Sequence, residues 1–259
     1  MPKTKFWKFQ AKKDKTGELT LYGEISNYTW WGDEITPKEF KKDLDALGDI
    51  DILNIYVNSP GGDVFAAQAM VSMLERHSAE KNVYVDGLMA SAATFFVKVG
   101  KVIMPSNAMM MYHNPISGVW GNANKMRKMA DDLDKVRESM LGIYRDKTGM
   151  TDEEIIVLLD AETWMTAAEA KEYGFADEVE EEKKVAASIS NTNLIFNSVQ
   201  TDMSKFLHPE SIIKKFVAFA EPPATDPVPP PIDDPRPAPA DLYKSKITNI
   251  ERRLKSYGI

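Results

Sequence analysis

The 259-residue chain has no cysteine, which excludes disulfides, thiolate nucleophiles and cysteine-ligated zinc. Histidine is scarce as well. His77, His113 and His208 show neither His-x-x-x-His nor Glu-x-x-His spacing, so neither a metal site nor a cofactor is expected. No run reaches the roughly 18 apolar residues of a membrane span. No apolar stretch follows the lysines of the first 18 residues, so they do not read as a signal peptide. Positive charge is not in excess: 32 Lys+Arg against 39 Asp+Glu leave −7. Such a chain lacks the electrostatic footprint of a partner for nucleic acid or anionic membrane. These absences predict a soluble, cytoplasmic protein, and 43% hydrophobic residues suffice for one sizeable core.

Nine of the 15 prolines crowd into residues 221–240, too poor in large apolar groups to offset the entropy of ordering. The expected organisation is therefore an N-terminal segment (1–18), a compact domain (19–182), an extension (183–220), a Pro-rich linker (221–241) and a terminal helix (242–259). The linker carries −4, from five acidic residues against Arg236. The terminal helix carries +4, from five basic residues against Glu251, with Ile247, Ile250 and Leu254 on one stripe. A short helix after Pro209, with Ile212, Ile213, Phe216 and Phe219 as its apolar stripe, is expected in the extension.

Within the compact domain, strands predicted over 19–25, 52–57, 83–85, 102–104 and 109–112 alternate with helical patterns over 64–76, 92–99 and 122–147. The apolar run Ile52–Val57 reads as a strand buried on both faces. Thr36–Glu39, Thr151–Glu154 and Thr166–Glu169 are capping boxes, and Gly174 stands where a helix should stop. This alternation predicts an α/β fold with a mostly parallel sheet.

Without cysteine, covalent catalysis falls to Ser, Thr, Lys or a carboxylate. In Asp86-Gly87-Leu88-Met89-Ala90-Ser91-Ala92-Ala93 a serine stands between strand and helix. Small neighbours there leave the hydroxyl uncovered, and a helix start would supply N–H groups to an oxyanion. The plainer alternative is that Ser91 only caps the helix. Asn58-Ser59-Pro60-Gly61-Gly62 is a second strand-to-helix turn whose glycines permit close backbone approach. It is neither a Walker A loop nor a GxGxxG fingerprint. His113 ends an apolar strand, where catalytic groups gather in open α/β sheets. Asp160 and Glu162 lie between two helices, and either could orient an imidazole.

Four segments then resemble, in order, the Clp protease proteolytic subunit: Ser-Pro-Gly-Gly, Gly-Leu-Met-Ala-Ser-Ala-Ala, Met-Met-Tyr-His-Asn-Pro, and the stretch from Thr163 to Asp177. The resemblance spans about 19–179 and is nearest to the phage and prophage branch, which includes head maturation proteases. It implies a Clp protease/crotonase-like repeated ββα superhelix with a long protruding handle helix. It implies a serine endopeptidase with Ser91 as nucleophile and His113 as general base. Glu162 stands at the family's aspartate position, with Asp160 as the alternative, and the backbone N–H groups of Gly62 and Ala92 form the oxyanion hole. The same resemblance implies peptide or unfolded-protein substrates and a homo-oligomeric ring, a heptamer or double heptamer. Capsid or scaffold proteins become candidate partners. Phe6–Gln10 does not resemble the family's axial loop, so the likeness does not extend to an ATPase unfoldase. Two other readings compete: a crotonase-type acyl-CoA enzyme, which needs no serine, and a non-catalytic scaffold of the same fold.

Overall fold

The computed structural model describes residues 5–26, 37–182, 187–190, 193–196 and 199–206. The Thr36 capping box, the helix expected after Pro209, the Pro-rich linker and the terminal helix lie outside them. The sheet opens with β1 (Trp7–Ala11) antiparallel to β2 (Thr16–Tyr22). From β2 onward it is parallel, through β3 (Ile52–Ser59), β4 (Glu80–Ala90), β5 (Lys101–Pro105) and a last strand at Glu178–Glu180, β8, paired with β5. β6 (Met109–Tyr112) runs parallel to the far end of β4, and β7 (Thr163–Thr166) runs antiparallel to β6. Parallel neighbours require crossovers. α1 (Pro37–Asp45) precedes β3 and α2 (Val64–Glu75) joins β3 to β4; a 3-10 helix (Ser91–Lys98) joins β4 to β5.

The main core packs α2, through Ala67, Met70, Val71 and Leu74, against the inward side chains of β3 and β4. β3 does not follow the sequence reading. Leu53, Ile55 and Val57 are buried, but Ile52 is exposed and Asn54 and Tyr56 are half-buried. On that outer face the Tyr56 ring stacks on Tyr84 of β4. A continuous apolar run thus became a one-sided strand.

α3 (Ala123–Thr148) starts on Asn122, whose side chain accepts from the Lys125 N–H, and stops at left-handed Gly149. Only its last turns are buried, through Met140, Leu141, Ile143 and Tyr144. Before Met129 the helix is exposed, so it projects as the expected handle. Both remaining capping boxes form, at the starts of α4 (Asp152–Asp160) and α5 (Ala167–Glu172). Gly174, at φ 79, follows α5 in the left-handed conformation that favours glycine.

The folded unit passes both expected boundaries. Within the segment set apart as N-terminal, β1 buries Trp7 edge-on against Phe40 of α1 at 5.5 Å. Beyond residue 182, β9 (Ala187–Ser190), β10 (Asn193–Phe196) and β11 (Val199–Asp202) form a separate antiparallel sheet. Leu194, Met203 and Phe206 from this part join Leu88, Ala90, Met109, Met111 and Trp164 in a second apolar cluster. Thus the extension covers part of β4, β6 and β7, the strands that carry the site.

Candidate active site

Strand register brings the site together. Ala90 of β4 lies beside Met111 of β6, and Met111 lies beside Trp164 of β7. Ser91 is one residue past Ala90 and His113 two past Met111. Because β7 runs the other way, Glu162 two residues before Trp164 reaches the same end. Three side chains distant in sequence therefore meet at neighbouring strand ends. β4 reaches this far because its pairing with β3 slips, from Val57↔Val85 to Ser59↔Met89. The Asn58 side chain accepts from the Leu88 N–H at 3.2 Å across that irregularity, tying it down.

Ser91 sits at φ 54, a left-handed conformation that costs a non-glycine residue roughly 1–3 kcal/mol. It does not cap the helix: the cap position is Ala90, whose side chain makes no capping bond. The Ser91 hydroxyl instead lies 2.7 Å from His113 Nε2. Thr94 Oγ1 donates to the Ser91 carbonyl at 2.6 Å and also meets the Tyr144 hydroxyl at 2.8 Å, which anchors the strained turn to α3.

His113 is buried, and burial lowers its pKa below the ordinary histidine value of 6.5, while the nearby Glu162 charge pulls it upward. The ring is therefore neutral at neutral pH and able to accept a proton. Glu162 is buried and places Oε2 4.0 Å from His113 Nδ1. That is an ion-pair distance rather than a hydrogen bond, though catalytic hydrogen bonds commonly tighten only with substrate bound. Asp160 is turned elsewhere: it accepts from Asn114 Nδ2 at 2.7 Å and lies 3.5 Å from Arg137.

The glycine turn is built for close approach. A Cβ on Gly61 would stand 2.6 Å from both the Ala90 carbonyl and Ser91 Cβ, and 2.9 Å from the Ala92 nitrogen. On Gly62, at φ 141, it would meet the Ile25 carbonyl at 2.0 Å. The Ile25 N–H donates to Gly61 O at 2.7 Å and the Asp63 N–H to Ile25 O at 2.8 Å. This bridge uses the groups on either side of the Gly62 N–H and not that N–H itself. Ala92 is the second residue of its helix, where backbone N–H groups have no intrahelical acceptor. Ser59 Oγ fixes the turn by accepting from the Gly61 N–H and donating to the Gly23 carbonyl.

Ser91, His113, Gly61 and Gly62 open onto a cavity of about 330 Å³. Gln200, Thr201, Asp202 and Phe206 line it too, and the reading of the sequence did not include them. The detectable signal was two short β-type runs, 193–196 and 199–202, spaced as a hairpin. Among the described residues, no group of three His, Asp or Glu side chains could hold a metal ion, and no helix is long and apolar enough to cross a membrane.

A strained serine at a strand-to-helix turn, bonded to a neutral buried imidazole, is the arrangement of a serine-type peptidase. The Clp protease family model matches residues 42–183, more than half of the chain, which belongs to that family and is a serine-type endopeptidase of ClpP-like fold. It is 32% identical over 131 residues to the ATP-dependent Clp protease proteolytic subunit 2 of Rhodococcus jostii (strain RHA1), covering 49% of this chain and 67% of that one. In structure it is similar to a point mutant of ClpP1 from Listeria monocytogenes. The TM-score is 0.55 at 24% identity, over 64% of this chain and 92% of the other, a likeness of fold.

Proposed function

We propose that the protein hydrolyses peptide bonds through a Ser91–His113–Glu162 triad, with the backbone N–H groups of Gly62 and Ala92 as the oxyanion hole. The carrying observation is the 2.7 Å contact between Ser91 Oγ and the Nε2 of a histidine that burial keeps neutral. His113 Nε2 takes the Ser91 proton as Oγ attacks the scissile carbonyl carbon. The two amides stabilise the oxyanion as it forms, an effect worth roughly 3 kcal/mol per donor in such sites. His113 then returns the proton to the leaving amine. It next activates a water that releases the acyl group and restores Ser91. Glu162 faces Nδ1, holds the tautomer and stabilises the transient imidazolium. A crotonase-type enzyme would use similar amides on a thioester, but it leaves the Ser91–His113 contact without a purpose. A fluorophosphonate probe tests the proposal. Covalent mass should appear on Ser91 and vanish in Ser91→Ala, and an unlabelled, well-folded wild-type chain would refute it.

The substrates in this reading are unfolded or delivered polypeptides, degraded inside a homo-oligomeric ring of seven or of two stacked sevens in the cytoplasm. Support for assembly comes from the projecting α3 and from apolar side chains exposed before and along it: Trp120, 96% exposed, with Ile116 and Met126. We further place the protein in the phage and prophage branch, acting in head maturation on capsid or scaffold proteins. The order of the four motifs and the residues beyond the family match support this reading. In it, residues 221–241 tether the terminal helix 242–259 as a docking element. Genes for a portal and a major capsid protein beside this one are the expected finding, and their absence would count against the assignment.

A further inference from the structure

The family match ends at residue 183, yet the cleft wall does not. β11 and the turn after it contribute Gln200, Thr201, Asp202 and Phe206 to the same cavity as Ser91 and His113. This wall is anchored. The Phe206 ring meets Trp164 edge-on at 5.3 Å and lies 6.1 Å from the His113 ring, and Met203 joins the same apolar cluster. Thr201, which lines the cavity, is 3% exposed, and its buried hydroxyl oxygen has no hydrogen-bond partner among the described residues. A buried hydroxyl left unpaired is unfavourable, so a bound molecule that supplies a partner gains from it. Beside the neutral His113, the ionisable residues lining the cavity are Glu24 and Asp202, both acidic, and no Lys or Arg is among the described lining residues.

We propose that β11 and its following turn form a substrate-selecting wall added to the peptidase cleft. Thr201 and Asp202 are its specificity-determining residues. The Thr201 hydroxyl hydrogen-bonds the main chain of the bound peptide. The Asp202 carboxylate disfavours Asp and Glu beside the scissile bond and favours Lys and Arg there. The inference rests on the peptidase reading for the peptide's place in the cleft, but its test does not depend on turnover.

The test measures binding of fluorescein-labelled peptides, a basic and an acidic version of one sequence, to full-length Ser91→Ala protein. Thr201→Val, nearly isosteric, should weaken both peptides about five-fold, the effect of one net hydrogen bond. Asp202→Asn keeps an oxygen for the Ser204 N–H that Asp202 now accepts from at 2.9 Å, so the turn is retained. It should reduce the preference for the basic peptide several-fold. In the active protein, cleavage maps of unfolded casein should shift the same way. Unchanged peptide affinity in Thr201→Val, or an unchanged basic-to-acidic ratio in Asp202→Asn, would overturn the proposal. So would a uniform rise in binding of all peptides, since the segment would then be a cover. Absence of Ser91 labelling in the wild type refutes the catalytic reading instead, and peptide binding still decides the wall.

Discussion

Individual side chains divide into those that react and those that hold the reactants. Ser91→Ala should abolish hydrolysis, by at least about 10⁴-fold, with folding intact by circular dichroism. Glu162→Gln should lower kcat/KM about 100-fold or more through loss of imidazolium stabilisation. It also removes the charge that raises the His113 pKa, so the acidic limb of the pH–rate profile should move to lower pH. The sign follows from the proposed base role: in that reading hydrolysis requires neutral His113, whose pKa lies below 6.5 because of burial, so activity should persist below the pH at which an ordinary histidine protonates. Stability moves in the same direction. The unfolded chain takes up this proton first, so the contribution of a neutral His113 is present above 6.5 and lost as pH falls through the folded value. Asp160→Asn should leave kcat/KM within about three-fold, because Asp160 contacts Asn114 and Arg137 rather than the imidazole. Gly61→Ala should cost both activity and stability, since at φ 94 its new methyl would stand 2.6 Å from the Ala90 carbonyl and from Ser91 Cβ.

At the level of elements, the capping boxes at Thr151 and Thr166, the stop at Gly174 and the strand Met109–Tyr112 were all legible, because each is set by near neighbours in sequence. β7 was not. Thr163–Thr166 is four residues long between two helices, and only pairing with β6 makes it a strand. The helix expected after Ser91 is present as a 3-10 helix, tied by Thr94 to the strained serine. The apolar side chains of α3 show a different limit. Its methionines are periodic along the whole helix, yet Met126 is exposed while Met140 is buried. Periodicity reports an apolar face and not what covers it. Trp120→Asp combined with Met126→Glu should leave monomer folding unaltered and reduce the oligomer measured by light scattering. Unchanged mass would show that this face is not an assembly contact.

Across the whole molecule, residues beyond 182 matter to a site that the family match alone would enclose. Leu194→Ala, far from Ser91 in sequence, removes a fully buried side chain from the second cluster and should destabilise the protein by about 2–4 kcal/mol in denaturant titrations. Phe206→Ala should wet the imidazole and raise the pH of the acidic limb, the reverse of the Glu162→Gln shift. Composition and spacing determined the α/β class, the absence of cysteine and metal-ligand patterns, and the serine, histidine and glycine segments, because these depend on residue type and local periodicity. The tertiary structure decided the rest. Strand register turned Glu162 rather than Asp160 toward His113, and burial made the ring neutral. The extension became a wall of the cleft because apolar side chains at 194, 203 and 206 found an uncovered sheet face that no local pattern announces.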